Sequence, residues 1–215
     1  MRGKTLWSVA ALAALALVAC DRLGTEAKAG PTDTEARALA EAVDDDADVL
    51  GASQIPTFAL APEFDTSPTS TVTTTTQFTT TRTCPKGGTW RVSGTRTVTA
   101  NRADRTWTMD LAAVQTYENC SRPARAERDS VTLTLNGRVD VTSHHEQTAT
   151  TFITGRDTQK GTIDWRTSTG RSGTCPIDLV SEFRVDRATG TVTRTVKGTV
   201  CNRTVDITRT IRRNG

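Results

Sequence analysis

Five cysteines, Cys20, Cys84, Cys120, Cys175 and Cys201, and two adjacent histidines, His144 and His145, are the side chains of this chain best suited to do chemistry. Thiolates and imidazoles bind zinc, but zinc sites use closely spaced pairs such as C-x-x-C, and the sequence has none. Neighbours on a strand point to opposite faces, so His144 and His145 cannot share a metal there without a turn, and no third ligand is spaced to help; the pair reads as a loop or an exposed strand end. The acidic run Asp44, Asp45, Asp46 and Asp48 lacks EF-hand spacing and reads as a solvated helix face. No G-x-S-x-G motif and no phosphate-cradling glycine loop occurs. Ser93 and Ser172 have no base nearby, and Gly94, Gly137 and Gly198 stand singly, as residues at bulges or bends do. These residues point to no catalytic group, no metal site and no cofactor, and away from an enzyme.

Apart from Cys20, four cysteines remain. An even number in an oxidising compartment implies two disulfides, with three connectivities open. A weak internal repeat selects one. Cys84 and Pro85 lead through a strand, the turn NRADR (101–105) and a strand to Cys120. Cys175 and Pro176 lead likewise through DRATG (186–190) to Cys201. Pairing Asp186 with Gly190 across a three-residue loop places Cys175 opposite Cys201, within reach of a cross-strand disulfide. Pairing Asn101 with Arg105 brings Cys84 near Cys120 once a bulge or loop is allowed. The expected bonds are Cys84–Cys120 and Cys175–Cys201, each stabilising by about 3–4 kcal/mol on chain-entropy grounds.

Cys20 closes the start of the chain. Arg2 and Lys4 precede an apolar run, Val9 to Ala19, that is well short of the roughly 20 residues needed to span a bilayer, and this pattern is that of an export signal. Its end, LVAC (17–20), resembles the lipobox of bacterial lipoproteins: an aliphatic residue, a small or aliphatic one, a small one, then cysteine. The resemblance implies a diacylglyceryl group on the Cys20 thiol and removal of residues 1–19 as signal peptide. It also implies a lipid anchor on the extracytoplasmic side of a bacterial membrane. Asp21 matches the inner-membrane retention rule of enteric bacteria, and inner against outer membrane stays open. Cleavage after Ala29 at AKA, the alternative, leaves Asp21, Arg22, Glu26 and Lys28 between the apolar core and the cut. Two acyl chains hold a protein stably where one holds it marginally.

Residues 20–70 form a tether. Within it Thr32 to Glu35 (TDTE) reads as a capping box. Ala36, Leu39, Ala40, Val43 and Ala47 then share one helical face, predicting an amphipathic acidic helix over about 33–50, ended by Gly51. Pro56, Pro62 and Pro68 mark an extended lead-in. From 71 to 215 the apolar period becomes two. Trp90, Val92 and Val98, then Trp107, Met109 and Leu111, then Leu133, Leu135, Val139 and Val141 alternate with polar residues. So do Ile177, Leu179 and Phe183, then Val192, Val196 and Val200, then Val205 and Ile207. With weaker strands at 70–83, 148–156 and 161–168, about nine strands are expected. One apolar and one Thr/Arg face predict an all-β antiparallel meander, curved into a sandwich or an open half-barrel, behind the short helix. Threonine, roughly one residue in five, suits strands.

Charge divides the same way. Residues 21–65 carry 3 basic against 11 acidic side chains, net −8. Residues 66–215 carry 22 against 13, net +9. No nucleic-acid motif accompanies the basic body, and its charges interleave with threonine, so a solvated strand face is expected and no nucleic-acid partner.

Lipobox, acidic Ala-rich helix, and CPKGGTWRVSGTRTVT (84–99) opening Thr-rich alternating strands together resemble a loose set of uncharacterised bacterial lipoproteins. That resemblance supports the envelope location and the all-β body and implies no activity. The expected role is a non-catalytic structural or binding module of the cell envelope, with the membrane as partner through Cys20 and an envelope protein as a further candidate. The alternative is a carrier of a lipid or other apolar ligand. A curved sheet under an amphipathic helix is similar to half-barrel lipid-handling lipoproteins, with the helix as lid and Trp90, Trp107 and Trp165 lining an apolar pocket. Their other role is core packing.

Overall fold

The computed structural model describes residues 30–52, 71–101, 103–124, 131–149 and 152–212. The segment expected to be a signal peptide (1–19), Cys20 and the expected lead-in 53–70 lie outside them. Helix α1 spans Asp33–Ala52. Both halves of the capping box are present: the Thr32 amide donates to Glu35 Oε2 at 2.7 Å, and the Glu35 amide donates to Thr32 Oγ1 at 3.1 Å. Asp33 and Glu35 in the first turn also complement the helix dipole. The helix runs through Gly51 to Ala52, two residues past the expected end; glycine disfavours helix by about 1 kcal/mol, which by itself does not stop one.

Eight strands follow: β1 (Thr71–Thr83), β2 (Thr89–Asn101), β3 (Thr106–Pro123), β4 (Thr132–Ala149), β5 (Phe152–Thr167), β6 (Ser172–Asp186), β7 (Thr191–Val200) and β8 (Arg203–Arg212). Each is antiparallel to the next in one sheet, in chain order, and β1 does not meet β8. The protein is therefore an open curved sheet and not a sandwich. The count is eight and not nine, because Ala149 of β4 pairs with Phe152 and β5 runs unbroken through 157–160. Asp157 and Gln159 occupy inward positions there, which interrupts the apolar alternation in the sequence without interrupting the strand.

Two registers differ from expectation by one residue. Asp186 pairs with Thr191, and Asn101 with Thr106. In both, a side-chain carbonyl or carboxylate caps the turn: Asp186 Oδ1 accepts from the Ala188 amide at 2.9 Å, Asn101 Oδ1 from the Ala103 amide at 3.0 Å. These Asx turns lengthen the loops by one residue. The cysteines still meet as expected. Cys84 joins Cys120 with Cα atoms 5.4 Å apart, and Cys175 joins Cys201 at 4.4 Å. The two halves are not equivalent, however. Cys84 follows β1 and reaches past β2 to a bulge in β3, where Asn119 has φ 49° and its amide donates to Asn136 Oδ1 at 2.7 Å. Cys201 sits in the β7–β8 turn, its amide donating to the Pro176 carbonyl at 2.9 Å.

Alternation puts one face of every strand inward. The main core joins Trp90 and Val92 of β2, Leu133 and Leu135 of β4, Ile163 of β5 and Ile207 of β8 around Leu39 and Val43 of α1. Between Glu35 and Ala47 only Arg37 is exposed, and Asp45 and Asp46 are half-buried. One sheet encloses that much of a helix only by curling round it. Gly198 shows what the curl demands: φ is +141°, and a Cβ there would lie 2.1 Å from the Asp178 carbonyl oxygen.

Candidate functional site: the seat of the acidic helix

The opposite charges of tether and body meet on the inner face. Five arginines of the body engage the acids of α1. Arg194 of β7 binds Asp44, Nε to Oδ2 at 2.8 Å and Nη2 to Oδ1 at 2.7 Å. Arg122 of β3 donates to Asp46 at 2.8 Å and to the Ala42 carbonyl at 3.0 Å. Arg209 of β8 spans Glu41 and Asp45, each at 3.0 Å. Arg171, in the β5–β6 turn, reaches Glu35 at 3.0 Å and the Gly30 carbonyl at 2.8 Å. Arg203 pairs with Asp33 at the first turn of the helix.

At Asp44, Asp45 and Asp46 the acidic run is thus no solvated face. Asp44 is 1% exposed. The sheet reaches past the apolar stripe onto the flanks of α1, and charged groups at that depth are tolerated only with partners. The expectation of a solvated basic strand face is corrected in the same way for Arg194, Arg122 and Arg209.

Beneath the helix the polar contacts continue. Arg194 Nη2 donates to Asp157 Oδ2 at 3.3 Å, and Asp157 Oδ1 meets His145 Nε2 at 2.8 Å. The His145 ring packs edge-on against Phe183, centroids 4.7 Å apart. Gln159 Nε2 donates to Asp44 Oδ1 at 3.4 Å. His144 lies on the outer face as alternation requires, Nδ1 to Asp110 Oδ1 at 2.7 Å. Nearer Arg122, the Tyr117 hydroxyl donates to Gln115 Oε1 at 2.9 Å. Burial pushes the Tyr117 phenol well above its ordinary range, and the charge of Asp46 adds to this. Burial also raises the Asp46 carboxyl, against the pull of Arg122.

The three tryptophans all face inward, but not into one space. Trp90 and Trp165 belong to the main core with α1. Trp107 belongs to a second cluster with Val98, Met109 and Ile153, and its Nε1 donates to Gln147 Oε1 at 3.1 Å. On the outer face an open depression of about 410 Å³ lies between Thr95, Asp110, Thr142, His144 and Arg156. Its charged groups are solvated, with Arg156 paired to Glu182 at 2.7 Å.

Sequence reasoning missed Arg122, Arg194, Arg209, Asp157 and the inward His145. One signal marked them: polar residues at the inward positions of alternating strands. No family model, curated protein or solved structure matches the chain. Among the described residues no helix is long and apolar enough to cross a membrane, and the two disulfides suit an oxidising, extracytoplasmic environment.

Proposed function

We propose that this chain is a bacterial lipoprotein, anchored through a diacylglyceryl group on Cys20, whose body is a non-catalytic structural or binding module on the extracytoplasmic side of the envelope. The observation that carries this reading is the occupant of the inner face. In a carrier that face holds the ligand. Here it holds α1, fixed by five arginines and by packing around Leu39 and Val43. A lid opens at low cost, whereas opening here would strand buried charges on both sides. Five of the body's arginines are thereby committed to carboxylates of α1 and not to phosphate.

The anchor and the helix belong together on this reading. Twelve residues separate Cys20 from Asp33, a reach of at most about 3.3–3.6 Å per residue when extended. Docking α1 into the sheet therefore keeps the outer face, rich in threonine hydroxyls and solvated charges, close to the membrane and free to meet partners. The test is incorporation of labelled palmitate by cells making the full chain. Label in the unaltered protein and none in Cys20→Ser supports the anchor; equal label in both, or none in either, removes it.

A further inference from the structure

Among the described residues the outer edge of β1 pairs with nothing, and neither does that of β8. Proteins protect such edges with proline, lysine, bulges or inward charges. Strand β8 carries Arg203, Asp206, Arg209 and Arg212. Strand β1 (TVTTTTQFTTTRT) has none of these devices over Thr71–Thr81: no charge, no proline, and an unbroken register against β2. It is exposed on both faces apart from partial cover at Phe78 and Thr80, and its inward Val72 is 46% exposed.

We propose that β1 is a dimerisation edge, on which a second copy of this chain pairs its own β1, antiparallel, about a two-fold axis at Gln77. The strand is close to a palindrome about that residue. Full-length antiparallel pairing sets Thr71 against Thr83, Thr73 against Thr81, Thr74 against Thr80 and Thr75 against Thr79. Threonine pairs across strands stabilise antiparallel sheets through their hydroxyls. The same chemistry already operates on the paired edge, where Thr73 meets Thr99 and Thr75 meets Thr97, oxygens 3.1 Å apart in each. The one charge, Arg82, falls opposite Val72 and not opposite its own copy. A self-complementary edge of this kind fits an isologous interface, in which one patch serves both partners. The inference is independent of the lipid anchor.

The test uses the full chain in whole detergent-lysed cells that make it, so that anchored and unanchored protein are read alike. Thr75→Cys, Gln77→Cys and Thr79→Cys are compared with Thr208→Cys on the outer face of β8. The expected result is a reducible band at twice the chain mass, strongest for Gln77→Cys and missing for Thr208→Cys. No band from any β1 position, an equal band from Thr208→Cys, or a band joining the chain to a different protein overturns the proposal; the last would make β1 a receptor for a partner's strand. A second measurement guards against disulfide scrambling. The detergent-extracted, unaltered protein sediments at twice the chain mass. Thr75→Lys/Gln77→Lys/Thr79→Lys, which sets lysines opposite lysines, halves that mass with its far-ultraviolet spectrum unchanged. An unaltered protein that sediments as a monomer overturns the proposal.

Discussion

Arg194 and Asp44, 150 residues apart in sequence, form a two-pronged ion pair at the centre of the molecule, with both oxygens of the carboxylate engaged. The pair joins the helix of the tether to the seventh strand of the sheet. A bidentate arginine–carboxylate pair fixes direction as well as distance, so it sets the rotation of α1 within the sheet.

Removing one partner leaves the other charged and buried, which costs about 3–5 kcal/mol. Asp44→Ala should therefore lower the urea midpoint sharply. Asp44→Leu combined with Arg194→Met should recover only part of that loss: an apolar pair replaces the ions, but buried Asp157 loses its contact with Arg194 and keeps His145. Losses that simply add in the double variant would show that the two side chains do not depend on each other.

Tyr117 is the chain's one tyrosine, so its ionisation can be followed alone in the near ultraviolet. Its phenol is raised in the folded state by burial, then by the Asp46 charge. A raised acid contributes stability that is complete below the unfolded value, about 10, and is lost as pH climbs beyond it. Tyrosinate should appear together with loss of the far-ultraviolet β signal, in one alkaline step. A smooth titration near 10 with the fold intact would place the phenol in water.

Each disulfide closes a chain loop, with sequence separations of 36 and 26 residues. Removing either by paired alanine substitution should cost about 3–4 kcal/mol. Peptide mapping without reductant should return Cys84 with Cys120 and Cys175 with Cys201. A Cys120–Cys175 peptide would contradict the topology of the sheet.

Gly198→Ala tests the curl of the sheet. The new Cβ would lie 2.1 Å from the Asp178 carbonyl oxygen, a backbone atom that cannot swing aside, at φ +141°. Overpacking alone costs about 1–3 kcal/mol, and the strained φ adds to it. An alanine variant as stable as the parent would mean that β6 and β7 are not held this close.

Much of the architecture could be read from the residues. Thr32 and Glu35 announce the helix start because a capping box is a local device, complete within four residues. Val139 and Val141 announce a strand because one face is buried and the period is two. His144 and His145 read as a loop or an exposed strand end, yet they lie inside β4, His144 outward and His145 buried against Asp157, because a buried partner for an inward histidine leaves no local signal. What stayed hidden depends on which surfaces meet. Asp44, Asp45 and Asp46 look like a wet face until the sheet is known to curl around the helix. Asp157 and Gln159 look like a break in a strand until Asp44 and Arg194 are seen above them. The opposite net charges of tether and body contained this docking, but charge totals do not say which arginine meets which carboxylate. Spacing locates the turns at Asn101 and Asp186 but makes each loop one residue too short, since the Asx cap adds a residue that spacing alone does not reveal.

The proposed lipid on Cys20 and the helix that fills the inner face can be tested together. An intact mass spectrum of the protein extracted from membranes of bacteria making the full chain tests both parts. The predicted mass per chain is that of residues 20–215 with lipid on Cys20, less the four hydrogens of two disulfides, and no small apolar molecule is retained under native conditions, whether one copy or two are held together. A lipid-free chain beginning at Gly30, or a bound apolar molecule that organic solvent extracts, would contradict it.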